Sequence, residues 1–494
     1  MRALLTGGSG VIGEGSIPAL VGAGWAVRLL SRHADDEARR WPRGVEAFPG
    51  DVTRPESLAG CASGCEAVVH VAGAARAPSP EVSLEELNVE GTRHLLAEAE
   101  AAGAPRLVFV SSLGAERGAS DYHRSKLAAE ELVERYPGRW TILRPGAVFG
   151  PGDETVSLLL RMARRLPAVP VVGLGEQRFQ PLWTEDFGRA VAAALGRDDL
   201  DGRVLLLAGP EVTTTRDLLA RLAALLGREP MTVPVPAAAA LPLTRLAETL
   251  GLPFPLDEAR LRMLVEENFV PPGEVNALTA VLGVDPLPLD EALRRLVEAP
   301  PEQLAAADLP LRAHRFRAEI EGAAIGPAEL LRQVGERFGE LMPLDFACDG
   351  RPCRRLELGR TLTATLPGVG QFAVRVEELG AERITLAAAE GHFLAGVVAF
   401  RASRAGGRLR FGVEVLAQAA GLLDALAMAA LGDRRQRRTW RSFVEAVVAL
   451  SGGTAPAGVE ESDERLDDEA AAAVRRWMEE LVVARERRER AGVT

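Results

Sequence analysis

The chain has 494 residues, of which 47% are hydrophobic, and its formal net charge is −11. The length suggests about three folding units, and the composition is that of a soluble globular protein. The acidic balance argues against a binder of nucleic acid or of anionic membranes, because phosphate contacts need clustered Lys and Arg. The four cysteines are too few for the disulfide framework of a secreted protein, so we expect a reducing, cytoplasmic compartment.

No stretch of the sequence indicates a targeting signal or a membrane span. The start, MRALLTGGSGVIG, has an apolar run that glycines interrupt after Leu5, which is unlike a secretory signal. The Ala-rich stretch 233–243 contains three prolines, and its uninterrupted parts are too short to cross a bilayer.

The first 150 residues alternate short apolar runs with helical patterns, which predicts a parallel α/β sheet. The predicted strands are residues 2–6, 26–31, 67–71, 107–111 and 141–144, with helices such as 90–102 and 122–136 between them. From Gly150 to about Glu298 the pattern is helical and rich in proline, which predicts a small cap over the sheet. The pair Pro300 and Pro301 marks a linker, so a doubly wound, Rossmann-type domain is predicted over 1–300.

The pattern changes after this linker. A helical pattern over 328–341 precedes five strand-like runs, at 356–366, 371–378, 383–388, 396–401 and 408–415. Two apolar helices follow, predicted over 417–431 and 439–450, and together these elements predict an α+β domain over 301–455. From Glu460 onward Leu466, Val474, Trp477 and Leu481 fall at helical spacing, so 456–494 is predicted to be a charged amphipathic helix packed on another surface.

A glycine-rich turn directly follows the first predicted strand. Gly7 permits a tight turn, Gly10 lets the backbone approach a pyrophosphate, and Gly13 lets the next helix pack closely on the sheet. The start of that helix offers free N–H groups to a phosphate. This context favours a dinucleotide site over an ordinary strand-to-helix turn. The cofactor-binding residues predicted here are Gly7, Ser9, Gly10, Val11, Ile12 and Gly13.

The choice of cofactor depends on the end of the second predicted strand. An acidic residue there would bond the ribose 2′-hydroxyl of NAD, whereas this chain has Arg32. An arginine can pair with a 2′-phosphate, so the sequence favours NADP(H) over NAD(H). The alternative is that Arg32 is solvated and that Asp35 or Asp36 reaches the ribose.

Lys126 is the only lysine in the chain, since all other members of the 58 basic residues are arginines. It follows Tyr122, one of two tyrosines, by four positions, which places both side chains on one face of a helix. A nearby ammonium and a nicotinamide cation would favour the phenolate. Tyr122 and Lys126 are therefore a predicted catalytic pair, with Ser111 or Ser112 as the hydroxyl that orients a substrate oxygen. The alternative is an ordinary exposed helix pair.

These motifs together resemble the short-chain dehydrogenase/reductase superfamily, in its extended or atypical branch of NAD-dependent epimerase/dehydratase-like proteins. The resemblance covers residues 1 to about 298 and is carried by TGGSGVIG, Asp51-Val52, His70-Val71-Ala72-Gly73, Asn88, Ser111-Ser112, Tyr122 with Lys126, and Leu143-Arg144-Pro145-Gly146. It implies a catalytic trio of Ser112, Tyr122 and Lys126, with Tyr122 exchanging a proton while hydride moves to or from the cofactor.

The resemblance also implies further cofactor contacts. Asp51, with Val52, would contact the adenine, and Ala72 and Gly73 would line the cofactor. Pro145 and Val148 would flank the nicotinamide, and Lys126 would contact the cofactor as well as assist Tyr122. The segment from Trp183 to Asp186 resembles the one that closes the substrate pocket in this family.

Two features separate this chain from typical extended members. Only ten positions separate Ser112 from Tyr122, which resembles the atypical branch that includes the NADPH-binding accessory subunit of respiratory complex I. The likeness extends to 256–261 and to 282–284. Because some members of that branch bind cofactor without known turnover, the alternative to an enzyme is a non-catalytic NADPH-binding sensor or assembly factor. Pro18 also falls inside the first predicted helix, where it would remove a hydrogen bond.

The second domain resembles a START-type helix-grip fold over about 310–452. The resemblance implies an apolar cavity, and its predicted lining is Val397, Val398, Phe400, Phe411, Leu422, Leu423 and Leu426. A plain packed α+β domain is the alternative.

The four cysteines are not close to any cluster of histidines in the sequence. We therefore predict buried thiols rather than a metal site. As partners we expect a small-molecule substrate without nucleic acid, and a homodimer stays open.

Overall fold

The computed structural model describes residues 1–41, 43–75, 82–103, 105–118, 120–166, 168–229, 231–236, 267–298, 310–348, 351–366, 370–389, 392–419 and 433–491. The chain divides into two compact units, Met1–Ala163 with Pro167–Val297, and Glu298–Thr494 with Arg164–Leu166. Among the helices in these ranges, none combines the length and the apolar character needed to span a bilayer.

The N-terminal unit alternates strands and helices. Its strands are β1 (Arg2–Thr6), β2 (Ala26–Ser31), β3 (Val45–Pro49), β4 (Ala67–His70), β5 (Arg106–Val110), β6 (Trp140–Pro145), β7 (Val148–Phe149), β8 (Ala168–Val172), β9 (Arg178–Phe179), β10 (Leu182–Trp183), β11 (Arg203–Leu207), β12 (Thr213–Thr214) and β13 (Met231–Val235). Its helices are α1 (Val11–Gly22), α2 (Ala34–Ala38), α3 (Gly91–Ala101), α4 (Asp121–Val133), α5 (Val156–Arg165), α6 (Thr184–Leu195), α7 (Thr215–Leu225), α8 (Ala277–Ala280) and α9 (Leu289–Glu298).

Seven of these strands form one parallel sheet in the order β11-β6-β5-β4-β1-β2-β3. The predicted doubly wound Rossmann-type sheet is therefore confirmed. Two of its strands, β3 and β11, were absent from the sequence prediction, and β11 lies in the stretch that was read as a helical cap. Its five residues include an apolar run of four and pair in parallel with β6, and periodicity alone cannot tell so short a run from a buried helix.

The parallel sheet is buried on both faces. Along β1, Ala3 and Leu5 pack into the core on one face with α1 and α6, and Leu4 packs into the core on the other face. This alternation follows from the two-residue period of a strand. A sheet covered on both sides in this way leaves the carboxyl ends of its strands as the place for a ligand.

Helices α1 and α6 approach each other closely through glycine. A Cβ atom added at Gly188 would lie 1.9 Å from the carbonyl oxygen of Gly15, and one added at Gly15 would lie 2.2 Å from the carbonyl oxygen of Thr184. Both obstacles are backbone atoms, which no side-chain rotation can move away. Pro18 lies inside α1, which nevertheless continues to Gly22.

We predict that Gly188→Ala lowers the stability of the protein by about 1–3 kcal/mol, as expected for overpacking against backbone. Gly22→Ala is the matched control, because a Cβ there meets nothing within 4 Å and alanine favours a helix. Calorimetric unfolding should show a lower melting temperature for Gly188→Ala than for the unaltered protein, and no decrease for Gly22→Ala. Equal melting temperatures would contradict this account of the α1–α6 contact.

The C-terminal unit is built on one antiparallel sheet. Its strands are β14 (Arg312–Ile320), β15 (Phe346–Cys348), β16 (Arg351–Pro352), β17 (Thr361–Leu366), β18 (Gly370–Leu379), β19 (Arg383–Ala388), β20 (Leu394–Ala405), β21 (Arg408–Ala419) and β22 (Glu460–Arg465). Its helices are α10 (Pro327–Glu336), α11 (Phe338–Leu341), α12 (Asp433–Leu450) and α13 (Asp468–Arg490). The described strands follow the order β16-β15-β17-β18-β19-β20-β21-β14-β22, which confirms the predicted α+β class.

Two predictions for the secondary structure of this unit need correction. The charged tail does not begin as a helix, because Glu460–Arg465 is a strand that pairs with β14; arginines of β14 meet its acidic side chains, as in the Arg312–Asp463 pair at 2.7 Å. The helix predicted from 417 is also wrong at its start, since 417–419 complete β21. The rest of that prediction, the linker prolines, the stretch 256–261 and the three leucines of the predicted cavity lie outside the described residues.

The two faces of the antiparallel sheet carry different cores. Phe400 and Phe411 are fully buried and pack against Phe443 of α12, with ring centroids 5.3 and 6.3 Å apart. Val398 packs on this core, whereas Val397 lies on the opposite face in a second core with Met478 of α13. The prediction that Val397 and Val398 line one cavity is therefore wrong, because neighbouring strand residues point to opposite faces.

The cysteines divide into two pairs. Cys61 and Cys65 are free, buried thiols, as predicted. The same prediction is wrong for Cys348 and Cys353, which form a disulfide with Cα atoms 5.1 Å apart. The short hairpin of β15 and β16 brings them together, and the amide of Cys353 donates to Phe346 O at 2.7 Å.

Candidate dinucleotide and catalytic site

A cavity of about 1150 Å³ opens at the carboxyl ends of β1, β2, β4, β5 and β6. This is the edge where ligands bind in open parallel sheets. The structure brings fourteen of the predicted site residues to its wall, namely Gly7, Ser9, Gly10, Val11, Ile12, Arg32, Asp51, Val52, Ala72, Gly73, Ser112, Tyr122, Pro145 and Val148. Gly13 and Lys126 do not line it but lie behind residues that do.

The glycine loop between β1 and α1 has the form of a phosphate cradle. Gly7 has a φ of +74°, and a Cβ there would lie 2.8 Å from the amide nitrogen of Ala72. A Cβ on Gly13 would lie 2.4 Å from the Cα of Gly8. A Cβ on Gly10, by contrast, would have no atom closer than Gly7 O, at 3.7 Å. No side chain caps α1 at Gly10, so its first N–H groups face the cavity as donors that suit an anion. These features fit a dinucleotide pyrophosphate.

The opposite end of the cavity carries charged side chains from β2 and α2. Arg32 is exposed and lines the cavity together with Glu37, whereas Asp35 and Asp36 are exposed and lie outside it. Glu37 was not among the predicted site residues. Its Oε2 is buried and has no hydrogen-bond partner. Asp51 is held by Thr53, whose amide and hydroxyl donate to its Oδ1 at 2.9 and 2.8 Å.

A buried chain of polar side chains ties the ends of β1 and β4 to α3. Thr6 accepts from the amides of Val71 and Ala72 and contacts His70 Nδ1 at 2.8 Å. His70 Nε2 lies 3.0 Å from the hydroxyl of Thr92, which donates to Asn88 O. Burial, with the Lys126 charge, lowers the pKa of His70 to about 3. The ring is therefore neutral and serves as a fixed link rather than as a proton carrier.

Asn88 continues this network to α4, the helix that carries Tyr122 and Lys126. Its amide exchanges hydrogen bonds with the backbone of Ala74, both at 3.0 Å, and donates to Ser125 Oγ at 2.9 Å. Ser125 in turn donates to the carbonyl of Tyr122 at 2.8 Å. The sequence singled out Asn88 and His70 only through the family resemblance, and their connection is visible only in three dimensions.

Lys126 is buried beneath the cavity floor. Its ammonium donates to Val110 O at 2.9 Å and lies 5.1 Å from the centre of the Phe109 ring. A Cβ on Gly73 would lie 2.8 Å from its Nζ and 3.0 Å from Asn88 Oδ1, so a larger residue at position 73 would require these side chains to shift. Burial lowers the pKa of Lys126 from 10.5 to about 8, against the opposing charge of Glu130.

Tyr122 and Ser112 meet at the cavity wall. Burial raises the pKa of Tyr122, and a hydrogen bond with the Ser112 side chain opposes that shift. The neighbouring Ser111 is 3% exposed, and its Oγ lines the cavity without a partner. The arrangement can hold a substrate oxygen beside a phenol and two serine hydroxyls, one of which already orients that phenol.

Comparison with known proteins supports this description of the N-terminal unit. Residues 3–208 match the model of the NAD dependent epimerase/dehydratase family. The predicted resemblance of the N-terminal unit to that family is therefore confirmed over these residues.

Two relatives show the range of the family around this chain. A ceramide reductase of Caulobacter vibrioides is 37% identical over 169 residues, which are 34% of this chain and 53% of that protein. Subunit 9 of the NADH dehydrogenase [ubiquinone] 1 alpha subcomplex of Arabidopsis thaliana mitochondria is 29% identical over 283 residues, 54% of this chain and 63% of that protein. The chain thus spans between half and two thirds of the length of these relatives.

Solved structures of similar shape include the UDP-glucose 4-epimerase of Thermus thermophilus in complex with NAD. It is 25% identical, covers 60% of this chain and 98% of its own, and has a TM-score of 0.47.

Because the chain has a single lysine, the titration of its amine can be observed directly. We predict that protein labelled with ¹³C-lysine gives one side-chain NMR signal with a midpoint near pH 8, because burial disfavours the ammonium. Urea-unfolded protein is the control and should titrate near the ordinary value of about 10.4. A folded-state midpoint equal to the unfolded one would contradict the buried position of Lys126.

Proposed function

We propose that the protein is an NADP-dependent oxidoreductase or epimerase/dehydratase-type enzyme that acts on a carbonyl or carbinol group. The observation that carries the proposal is one cavity that holds the glycine loop, Ser112 and Tyr122, with Lys126 directly beneath Gly73. When bound, the nicotinamide supplies or accepts hydride, and the chain supplies the proton chemistry and the positioning.

In this mechanism Tyr122 gives its hydroxyl proton to a carbonyl oxygen during reduction and removes it from a carbinol during oxidation. Ser112 bonds the phenol and orients the substrate oxygen beside it. Lys126, buried under Gly73 and outside the cavity lining, would add positive charge that favours the phenolate. Ser111 offers a second hydroxyl to the substrate.

NADP rather than NAD is proposed because Arg32 lines the cavity whereas Asp35 and Asp36 do not. We predict that Arg32→Ala weakens NADP⁺ binding about tenfold or more, since hydrogen bonds to charged groups are the strong ones, and leaves NAD⁺ binding nearly unchanged. Calorimetry measures both affinities. The control is Arg39→Ala, an exposed arginine of the same region that pairs with Asp36 outside the cavity.

Tighter binding of NAD⁺ than of NADP⁺ by the unaltered protein would contradict the proposed preference for NADP. In that case Glu37→Gln should weaken NAD⁺ binding, because Glu37 is an acidic side chain that lines this end of the cavity next to Arg32.

Loss of the Tyr122 hydroxyl tests catalysis. We predict that Tyr122→Phe lowers turnover about 10²- to 10⁴-fold, the usual size of a general acid contribution, and leaves NADP⁺ affinity unchanged. Turnover is followed as oxidation of NADPH with a panel of apolar aldehydes and ketones. Tyr136→Phe is the control, because that tyrosine bonds Pro105 O in the core.

Full activity of Tyr122→Phe would remove the mechanism. Tight NADPH binding with no turnover on the panel by the unaltered protein would favour the second candidate, a non-catalytic NADPH-binding sensor or assembly factor. The similarity to a mitochondrial respiratory subunit is the observation that supports that candidate.

The substrate is proposed to be apolar around its reacting group. Val82, Leu84, Leu87 and Phe179 line the cavity, and the relative named a ceramide reductase acts, by its name, on a lipid. For the C-terminal unit we keep the START-like assignment as a proposal, supported by α12 packed across one face of its sheet. A cytoplasmic location and a homodimer are proposals from the sequence alone.

A further inference from the structure

Arg144 joins three segments that surround the proposed site. Its guanidinium binds the carboxylate of Glu130 through two hydrogen bonds, from Nε to Oε1 at 2.9 Å and from Nη2 to Oε2 at 2.7 Å. Its Nη1 donates to Glu116 Oε2 at 2.5 Å. Arg144 belongs to β6, Glu116 to the loop that leads from β5 to α4, and Glu130 to α4. A bidentate pair of this kind is a strong and directional contact, so it fixes α4 against the end of β6.

Glu130 lies on the same face of α4 as the two residues of the proposed catalytic pair. Tyr122, Lys126 and Glu130 follow one another at intervals of four residues, which places each side chain one helical turn from the next. Glu130 is 1% exposed and Lys126 is 4% exposed. Because both residues are buried, solvent ions screen the interaction of their charges only weakly.

The two buried cations of this region lie at the ends of neighbouring strands. The ammonium of Lys126 donates to the carbonyl of Val110 in β5, and Val110 pairs with Leu143, the residue before Arg144 in β6. Neighbouring strands are about 4.8 Å apart, so the ammonium and the guanidinium repel each other unless an anion lies near both. Glu130 is such an anion, because it contacts Arg144 and is one helical turn from Lys126.

Among the described residues, the other groups around the Lys126 amine are neutral. They are the carbonyl of Val110 and the ring of Phe109 in β5, the uncharged ring of His70 in β4, the side-chain oxygen of Asn88 and the phenol of Tyr122. The charge of Glu130 raises the pKa of Lys126, whereas burial lowers it. With Glu116 on the other side of Arg144, two carboxylates and two cations alternate and carry no net charge.

We infer that Glu130 is a positioning residue for Tyr122 and Lys126: held by Arg144, its carboxylate is the counter-charge that keeps the buried amine of Lys126 protonated at neutral pH. The inference rests on the proposed function, in which the ammonium favours the phenolate of Tyr122. Removal of this carboxylate leaves two cations at neighbouring strand ends. Lys126 then loses its proton more readily, because the guanidinium of Arg144 keeps its charge in every protein environment.

The test is the titration of the ¹³C-labelled Lys126 amine in the full-length protein, with two substitutions that separate charge from geometry. Glu130→Gln keeps the size of the side chain and removes its charge. It should lower the midpoint by about one pH unit or more, the size expected for one unit charge at a few ångströms in a protein. Glu130→Asp keeps the charge and shortens the side chain, and its midpoint should stay close to that of the unaltered protein.

Glu131→Gln is the matched control. It removes the same charge from the next position of α4, where the side chain is 59% exposed and solvent screens it, so the Lys126 midpoint should not move. Arg144→Gln tests the same arrangement with the opposite sign and applies even if Glu130→Gln fails to fold. Loss of the guanidinium leaves Glu130 to Lys126 alone, so the midpoint should rise.

The pH profile of turnover connects this titration to catalysis. The reaction uses the ammonium, so the rate should fall as the pH rises through the Lys126 midpoint. In Glu130→Gln the fall should occur at a lower pH, displaced by the same interval as the NMR midpoint.

An unchanged midpoint in Glu130→Gln would overturn the inference. So would an equal decrease in Glu131→Gln or in Glu130→Asp, and so would a midpoint in Arg144→Gln that does not rise. Failure of the proposed function is distinguishable, because the titration needs neither cofactor nor substrate. Midpoints that move as expected, in a protein that binds no NADP⁺ and reduces no carbonyl compound, would contradict the proposed function and leave the charge role of Glu130 intact.

Discussion

The hydrogen-bonded chain from Thr6 through His70 and Thr92 to Asn88 is the constraint on which the site depends. It joins two strand ends to the helix that follows the cavity wall, and all four side chains are almost completely buried. Thr6 already accepts two backbone N–H groups, so its hydroxyl hydrogen is directed at His70 Nδ1. That arrangement requires a neutral imidazole, in agreement with the lowered pKa of His70. This part of the cavity wall is thus held by neutral, hydrogen-bonded groups, whereas charged side chains such as Arg32, Glu37 and Asp51 line the cavity elsewhere.

Close backbone approach explains why particular residues stand around this network. Gly73 leaves no space for a Cβ above the Lys126 amine, and Gly7 leaves none beside Ala72. A guanidinium is larger than an ammonium and keeps its charge in every protein environment. It would therefore not titrate near pH 8, as the buried amine of Lys126 does. The single lysine of an otherwise arginine-only chain is therefore explained by its buried position.

The C-terminal unit follows a different principle, because its sheet is antiparallel and has helices on both faces. Phe400 and Phe411 contact α12 on one face, and Val397 contacts α13 on the other. Glu377 of β18 is buried with Arg485 of α13 at 3.2 Å, which ties the last helix to the sheet. Burial raises the pKa of Glu377 to about 7, so this contact weakens when the carboxylate takes up a proton.

The sequence by itself determined the Rossmann class and the glycine loop after β1, because a strand–turn–helix unit imposes local spacing, and its prediction of Ser112, Tyr122 and Lys126 as a catalytic set depends likewise on residues close in the chain. It missed β3 and β11, the strand at Glu460–Arg465, and the Cys348–Cys353 bond. Short apolar or charged runs become strands only when a neighbouring strand supplies backbone hydrogen-bond partners, as β6 does for β11 and β14 does for β22. Glu37 carries no local signal in the sequence. Its position became evident only when the tertiary structure placed segments far apart in the chain on one cavity, because burial and missing hydrogen bonds are properties of the folded arrangement.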